Sequence, residues 1–138
     1  MALGLRSRAS WALWLVGVIV TGILSRVAHT GFAVVDKYLG DALYAAMVYV
    51  ILRLIWRSAP LAVWAMAIMT AIELFQLTMI PAHMLASEHA IVRICARLMG
   101  TEFSFLDLLA YGVGIGCIYL VDRRSAGNRS LTVVAPKQ

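Results

Sequence analysis

Four apolar stretches, each close to the length of a membrane-spanning helix, most constrain what this chain can fold into. They cover residues 10–28, 41–57, 60–80 and 103–121. A helix needs about 20 mostly apolar residues to cross a bilayer. The chain is only 14% charged, whereas soluble domains contain about 25% charged residues. We therefore predict an all-α polytopic membrane protein, a bundle of about four transmembrane helices that forms a single domain over residues 1–138.

Charges and prolines mark the ends of these stretches. No charged residue lies between Arg8 and Arg26, and we interpret this run as the first span rather than a signal peptide. Pro60 suits the first turn of the third span, and Pro81 is expected to end it. The tail from residue 122 to 138 is polar and basic.

The connection before the fourth span has helical periodicity of its own. Apolar residues recur at helical spacing, at Ile91, Ile94, Cys95 and Leu98. Polar residues fall on another face, at His89, Arg93 and Arg97. This pattern predicts an amphipathic helix over about residues 86–99 that lies in the membrane interface.

The distribution of basic residues predicts the orientation, because cytoplasmic loops carry an excess of lysine and arginine. With both termini inside, one group faces the cytoplasm: Arg6, Arg8, Arg53, Arg57, Arg123, Arg124, Arg129 and Lys137. The smaller group faces outward: Arg26, Lys37, Arg93 and Arg97. We predict a multi-pass protein of the bacterial inner membrane with both termini in the cytoplasm.

On this topology, the polar residues of the spans converge in the outer half of the membrane. Asp41 lies at the outer end of span two, and Asp107 lies about 6 Å deep in span four at 1.5 Å per residue. Glu73 and Gln76 share one face of span three, about 10 Å and 6 Å from its outer end. Ionisable residues inside a membrane are expensive and mark functional sites.

This convergence predicts a polar cluster that either binds a ligand or holds the helices together. Tyr111 offers a hydroxyl to a buried carboxylate. Lys37, Arg93 and Arg97 are expected just above the cluster, with Arg93 or Arg97 as its counter-charge. Gly112 and Gly116 form a small-xxx-small pair that predicts close approach of a neighbouring helix.

Several classes of function find no support in the sequence. Cys95 and Cys117 lack metal-ligand spacing, and His29, His83 and His89 do not form a metal set. There is no glycine-rich phosphate loop, catalytic triad or nucleophile elbow. We expect no metal, no cofactor and no nucleic-acid partner, and we lean away from an enzyme. The expected partners are membrane lipids and other membrane protein subunits.

Three motifs carry a family resemblance. GDALYAAMVY from Gly40, IELFQL from Ile72 and FSFLDLLAYGVGIG from Phe103 resemble a small bacterial membrane family labelled domain of unknown function 2809. The acid-x-x-Gln followed by Asp-Leu-Leu-Ala is also similar to the broader VanZ-like group, named for a teicoplanin-resistance protein. The chain differs from that group in having Tyr111 where an asparagine is common, and in lacking its histidine before span two.

The resemblance implies a polar signature but no established substrate. Its positions in this chain are Gly40, Asp41, Glu73, Gln76, Gly100, Asp107 and Tyr111, with Arg93 added. The leading hypothesis is a protein that binds a cell-envelope amphiphile or lipid head group in a polar outer-leaflet cavity. A structural or assembly subunit of a larger membrane complex is the second hypothesis. An intramembrane enzyme that uses two carboxylates as acid and base is the third.

Overall fold

A computed structural model describes residues 2–27, 31–56, 60–100 and 102–132. This part of the chain contains six α-helices and no β-strand. They are α1 (Ala2–Val27), α2 (Ala33–Ile55), α3 (Leu61–Gln76), α4 (Ile80–Leu85), α5 (Ala90–Met99) and α6 (Phe105–Thr132). His29, Arg57 and Lys137 lie outside the described residues, as do the side chains of Arg6, Arg26 and Arg129. The all-α prediction is confirmed.

Two interhelical ion pairs show that α2 and α6 run in the same direction. Near the start of both helices, Lys37 Nζ lies 3.1 Å from Asp107 Oδ1. Towards their other ends, Arg53 Nε lies 3.0 Å from Asp122 Oδ2. The Arg53 guanidinium also lies 5.8 Å from the ring centre of Trp11, so α1 begins where α2 ends. We call the two ends of the bundle the Asp107 end and the Asp122 end.

The four long helices therefore alternate in direction along the chain. Helix α3 starts at the Asp122 end and finishes at the Asp107 end, where Gln76 contacts the end of α5. Helices α4 and α5 lie at the Asp107 end and connect α3 to α6. Helix α2 packs against α1, α3 and α6, and its buried residues Ala45, Tyr49 and Val50 belong to the core.

Helices α6 and α2 approach each other closely at Gly114. A Cβ atom at this position would overlap the backbone carbonyl of Ala42. A Cβ at Gly112 or Gly116 would find no atom within 4 Å. The prediction of this glycine pair is therefore wrong for contacts within the described chain. Gly114 lies on the helix face of Tyr111, three residues away, whereas Gly112 and Gly116 lie on another face.

Several helix boundaries differ from the predicted spans. Helix α2 begins well before residue 41, so Lys37 and Asp41 lie one turn apart on one helix. Helix α6 continues through residue 121 to Thr132. Pro81 does not end α3, because that helix already stops at Gln76, and Pro81 lies in the first turn of α4. The predicted interfacial helix over residues 86–99 corresponds to α5, which starts later than predicted, at residue 90, and the short helix α4 that precedes it was not predicted.

Within the described residues, two helices are long and apolar enough to cross a membrane, over Val35–Ile55 and Phe105–Ser125. The apolar stretches Arg8–Leu24 and Leu61–Gln76 are shorter. Only 28% and 33% of the residues in their most apolar 18-residue stretches are buried, and large apolar side chains such as Leu39, Leu109 and Val113 are exposed. Two such helices are weak evidence for a membrane protein, because core helices of soluble proteins share their length and composition.

The contact at Gly114 predicts that alanine substitutions at Gly114 and at Gly112 change the stability of the protein very differently. Gly114→Ala should destabilise the protein by about 1–3 kcal/mol, because the added methyl group forces α2 and α6 apart. Gly112→Ala is the matched control, since it adds the same methyl group in open space and favours the helix by up to about 1 kcal/mol. Thermal unfolding of the purified variants checks this. Equal melting temperatures for the two variants would contradict the close packing.

Candidate functional site

The centre of the polar cluster is the carboxylate of Glu73, which is fully buried. Its Oε1 accepts a hydrogen bond of 2.7 Å from the backbone N–H of Ser104. Its Oε2 accepts one of 3.0 Å from the Tyr111 hydroxyl and a longer one of 3.3 Å from Gln76 Nε2. A buried charge must be compensated, and here three donors from α3, α6 and the segment before α6 compensate it.

Ser104 is the residue from which α6 starts. Its carbonyl accepts hydrogen bonds from the backbone N–H groups of Asp107 and Leu108, which form the first turn. The first N–H groups of a helix lack intrahelical partners and carry partial positive charge. Glu73 therefore lies at the positive end of α6, which stabilises its negative charge.

Gln76 joins the end of α5 to the same cluster. Its Nε2 donates a 2.7 Å hydrogen bond to the carbonyl of Met99, the last residue of α5. The next residue, Gly100, has φ +79°, and a Cβ there would stand 2.9 Å from Gln76 Nε2. Only glycine suits both the backbone conformation and the space. Glu73 and Gln76, three residues apart on α3, thus hold the start of α6 and the end of α5.

The other predicted acids gather around Tyr111. Glu73, Asp41 and Asp107 all lie within electrostatic reach of its hydroxyl. Asp107 is buried, and Lys37 is its counter-charge at 3.1 Å. Asp41 is half-buried and also interacts electrostatically with Lys37. The structure therefore brings the polar residues of α2, α3 and α6 together at the Asp107 end.

Arg93 and Arg97, the arginines of the predicted interfacial helix, do not act as counter-charges for these carboxylates. Arg93 Nη1 donates to the backbone carbonyls of Ser87 and Glu88, at 2.9 Å and 3.0 Å. Arg97 is exposed. The expectation that one of them neutralises the cluster is wrong, because the turn between α4 and α5 supplies nearer acceptors for Arg93.

A cavity of about 430 Å³ opens beside the cluster. Its walls come from the end of α3, from α4 and from the segment before α6: Gln76, Leu77, Met79, Ala82, Leu85, Glu102 and Phe103. Of the predicted site residues, only Gln76 lines it. The Gln76 carbonyl oxygen is buried and has no hydrogen-bond partner.

The break between α3 and α4 creates this cavity. Met79 has φ +60°, in the left-handed region that non-glycine residues rarely adopt. Thr78 supports the break, since its hydroxyl donates to the Phe75 carbonyl and accepts from the N–H of Ile80. Met79, Glu102 and Phe103 were not among the predicted site residues, because a helix predicted to continue through residue 80 leaves no space for a cavity.

A second polar group at the Asp122 end was also missed. Asp122 Oδ2 accepts a 2.8 Å hydrogen bond from the Tyr49 hydroxyl in addition to its pair with Arg53. Trp11 covers the guanidinium from α1. In the sequence, this group is indicated by a base near the end of span two, Arg53, and by an acid directly after span four, Asp122.

No group of three or more potential metal ligands occurs within the described residues.

Comparison with known proteins gives a family and no activity. The model of the family described as Protein of unknown function (DUF2809) matches residues 30–115. The chain belongs to this family. The matched region contains Glu73, Gln76, Asp107 and Tyr111, and the predicted resemblance to this family is confirmed. No curated protein and no solved structure matches the chain.

Removal of the hydrogen bond from Tyr111 to Glu73 should measurably lower the stability of the protein. Tyr111→Phe should lower the free energy of unfolding by about 1–2 kcal/mol, because a buried carboxylate loses one donor. Tyr119→Phe is the matched control, since this exposed side chain keeps its ring contact with Arg123. Thermal or chemical unfolding in detergent measures both. A Tyr111→Phe protein as stable as Tyr119→Phe would contradict the role of this hydrogen bond.

Proposed function

We propose that this protein is a four-span protein of a bacterial inner membrane that binds a cell-envelope amphiphile. The observation that carries the proposal is the cavity at the Asp107 end. It has apolar walls from Leu77, Leu85 and Phe103, and a polar part from Gln76 and Glu102. Cavities with mainly apolar walls and a few placed polar groups are typical ligand sites.

The helix directions support four spans. Four helices that alternate in direction along the chain and start and end at two common levels match a membrane bundle. Along α2, the pairs at Lys37 and Arg53 are about 24 Å apart at 1.5 Å per residue. This separation suits a hydrocarbon core of about 30 Å, with the long cationic side chains reaching the two interfaces.

The surface of α5 supports its place in the membrane interface. Ile91, Ile94 and Leu98 are 76%, 55% and 64% exposed. An exposed apolar stripe on a ten-residue helix is costly in water and favourable in the headgroup boundary. The excess of basic residues in the predicted inner loops then places the Asp107 end and its cavity in the outer leaflet.

Cysteine labelling tests the topology. In a background with Cys95→Ser and Cys117→Ser, single cysteines are introduced as Glu88→Cys at the Asp107 end and Ser125→Cys towards the other end. Both positions are exposed. A membrane-impermeant maleimide should label Glu88→Cys in intact cells and Ser125→Cys only after permeabilisation. The reverse pattern would overturn the orientation, and labelling of both in intact cells would overturn the four-span bundle.

The size and position of the cavity support an amphiphile as the ligand. Its volume of about 430 Å³ lies within the ~300–1,000 Å³ range of small-molecule sites. Leu77, which lines the cavity, and Leu74, three residues before it on α3, are exposed apolar side chains. A ligand with a polar head and an apolar tail matches both parts. The resemblance to the VanZ-like group also suggests a role in envelope stress, and a cell-envelope amphiphile would be a suitable ligand for such a role.

A variant that fills the cavity tests binding. Ala82→Trp places a large ring among the lining residues and should displace most of the amphiphile that copurifies with the protein. Ala86→Trp is the matched control, because Ala86 is exposed at the end of the same helix and does not line the cavity. Native mass spectrometry of the proteins in mild detergent measures the bound fraction.

The same measurement separates the proposal from its alternative. A second candidate, an assembly subunit of a larger complex, is favoured by the open glycine face of Gly112 and Gly116 on α6. Equal lipid content in the two tryptophan variants, together with a stoichiometric protein partner in the spectra, would contradict amphiphile binding and favour the subunit. An intramembrane enzyme remains the third hypothesis, since neither Glu73 nor Asp107 lines the cavity.

A further inference from the structure

Helices α4 and α5 form a segment with few contacts to the rest of the bundle. Among the described helices, these two contact only each other and α3. Of residues 80–99, only Pro81 and Ala96 are buried. Segments with few buried contacts separate from the core at a lower free energy than the core itself unfolds. The segment can therefore move while the four long helices stay packed.

A residue with a positive φ angle bounds this segment at each end. Met79, directly before α4, has φ +60°, and Gly100, directly after α5, has φ +79°. A residue in this region cannot be part of an α-helix, so neither α4 nor α5 continues rigidly into its neighbour. Hinges are a few residues at the ends of helices or strands that absorb a change in φ and ψ. Met79 and Gly100 are placed to act as such a pair.

Hydrogen bonds within the segment join α5 to the end of α4. Arg93 Nη1 donates to the backbone carbonyls of Ser87 and Glu88 in the turn between the two helices, at 2.9 Å and 3.0 Å. The Ser87 hydroxyl accepts a hydrogen bond of 3.2 Å from the N–H of His89. Because these contacts lie inside the segment, a rotation at its two ends moves α4 and α5 as one body.

A hydrogen bond from α3 holds the far end of the segment against the bundle. Gln76 Nε2 donates to the Met99 carbonyl over 2.7 Å. The same nitrogen lies 3.3 Å from the Glu73 carboxylate, so the bond connects the end of α5 to the polar cluster. It also lies beside the second boundary residue, since a Cβ at Gly100 would stand 2.9 Å from Gln76 Nε2. We call the Gln76–Met99 hydrogen bond the latch.

The cavity lies between this segment and the bundle. Ala82 and Leu85 of α4 form one side of it, and Leu77 and Phe103 belong to the other side. Met79, at the boundary between α3 and α4, also lines it. A rotation at Met79 would therefore change the width of the cavity by moving one of its walls.

We propose that α4 and α5, residues 80–99, are a hinged lid that swings away from the end of α3 to let the amphiphile enter and leave the cavity. The rotation occurs at Met79 and Gly100, and the latch holds the closed position. The inference rests on the proposed function for what enters the cavity. The motion itself depends only on the contacts of the lid.

Distances between spin labels test the motion. In the background with Cys95→Ser and Cys117→Ser, labels are attached at Glu88→Cys on the lid and at Leu109→Cys on α6, both of which are exposed positions. Pulsed electron paramagnetic resonance of the full chain in mild detergent should give a main distance and a second, less populated one. Labels at Val35→Cys and Leu109→Cys, both exposed and both in the bundle, should give a single distance.

A pair of glycine variants tests the latch. Gly100→Ala should displace the Gln76 amide, and the ratio of the second lid distance to the main one should rise about fivefold, as expected for the loss of one hydrogen bond. Gly112→Ala is the matched control, because it adds the same methyl group in open space, and it should leave the ratio unchanged. Equal ratios in the two variants would overturn the proposal. A changed Val35–Leu109 distance in Gly100→Ala would also overturn it, because the segment would then not move separately from the bundle.

The role of the lid in ligand entry is tested with the amphiphile that copurifies with the protein. A ligand that contacts both sides of the cavity favours the closed position, so its removal by washing with detergent should raise the ratio. A ratio that does not change on its removal would overturn this role.

The outcomes separate the lid from the function on which it rests. Two lid distances, together with equal lipid content in Ala82→Trp and Ala86→Trp, would leave the moving segment in place and overturn amphiphile binding. A single lid distance in every variant, together with loss of lipid in Ala82→Trp, would overturn the lid and leave amphiphile binding in place.

Discussion

The buried carboxylate of Glu73 is the interaction on which the Asp107 end depends. A negative charge in an apolar interior requires several donors, and it is stable only where the surrounding backbone supplies them. The N–H of Ser104, at the positive end of α6, is one donor and the Tyr111 hydroxyl is another. The Ser104 N–H lies directly before α6 and the Tyr111 hydroxyl lies in it. The charge of Glu73 therefore fixes where α6 starts relative to α3. Gln76 extends this constraint to the end of α5 through Met99.

The register of α2 and α6 depends on contacts of a different kind. The ion pairs of Asp107 and Asp122 with lysine and arginine side chains lie near the two ends of these helices. Between them, Gly114 allows the backbones to touch. Close backbone contact at a small residue is a typical way for two helices to associate. The charges then determine which residues face one another, and they disfavour a shift of one helical turn.

The sequence predicted the polar residues well and their partners poorly. Depth along a helix follows from counting residues, so Glu73, Asp107 and Tyr111 were predicted to lie at one end, as the structure has them. Rotation about the helix axis is harder to predict, and Gly114 was missed in favour of Gly112 and Gly116. Partners across loops depend on backbone conformation that periodicity does not encode. The left-handed Met79 and the turn that engages Arg93 are examples, and they decide where the cavity lies.

Gln76 connects the fold to the proposed site, because each half of its amide has a different environment. The nitrogen holds the end of α5, and the oxygen is left buried without a partner beside the cavity. Gln76 thus takes part both in the packing of α5 and in the wall of the cavity. Substitution of Gln76 would therefore disturb folding and binding together. Glu102 lies on the cavity wall and outside the buried network, so a substitution there alters the cavity without disturbing these contacts.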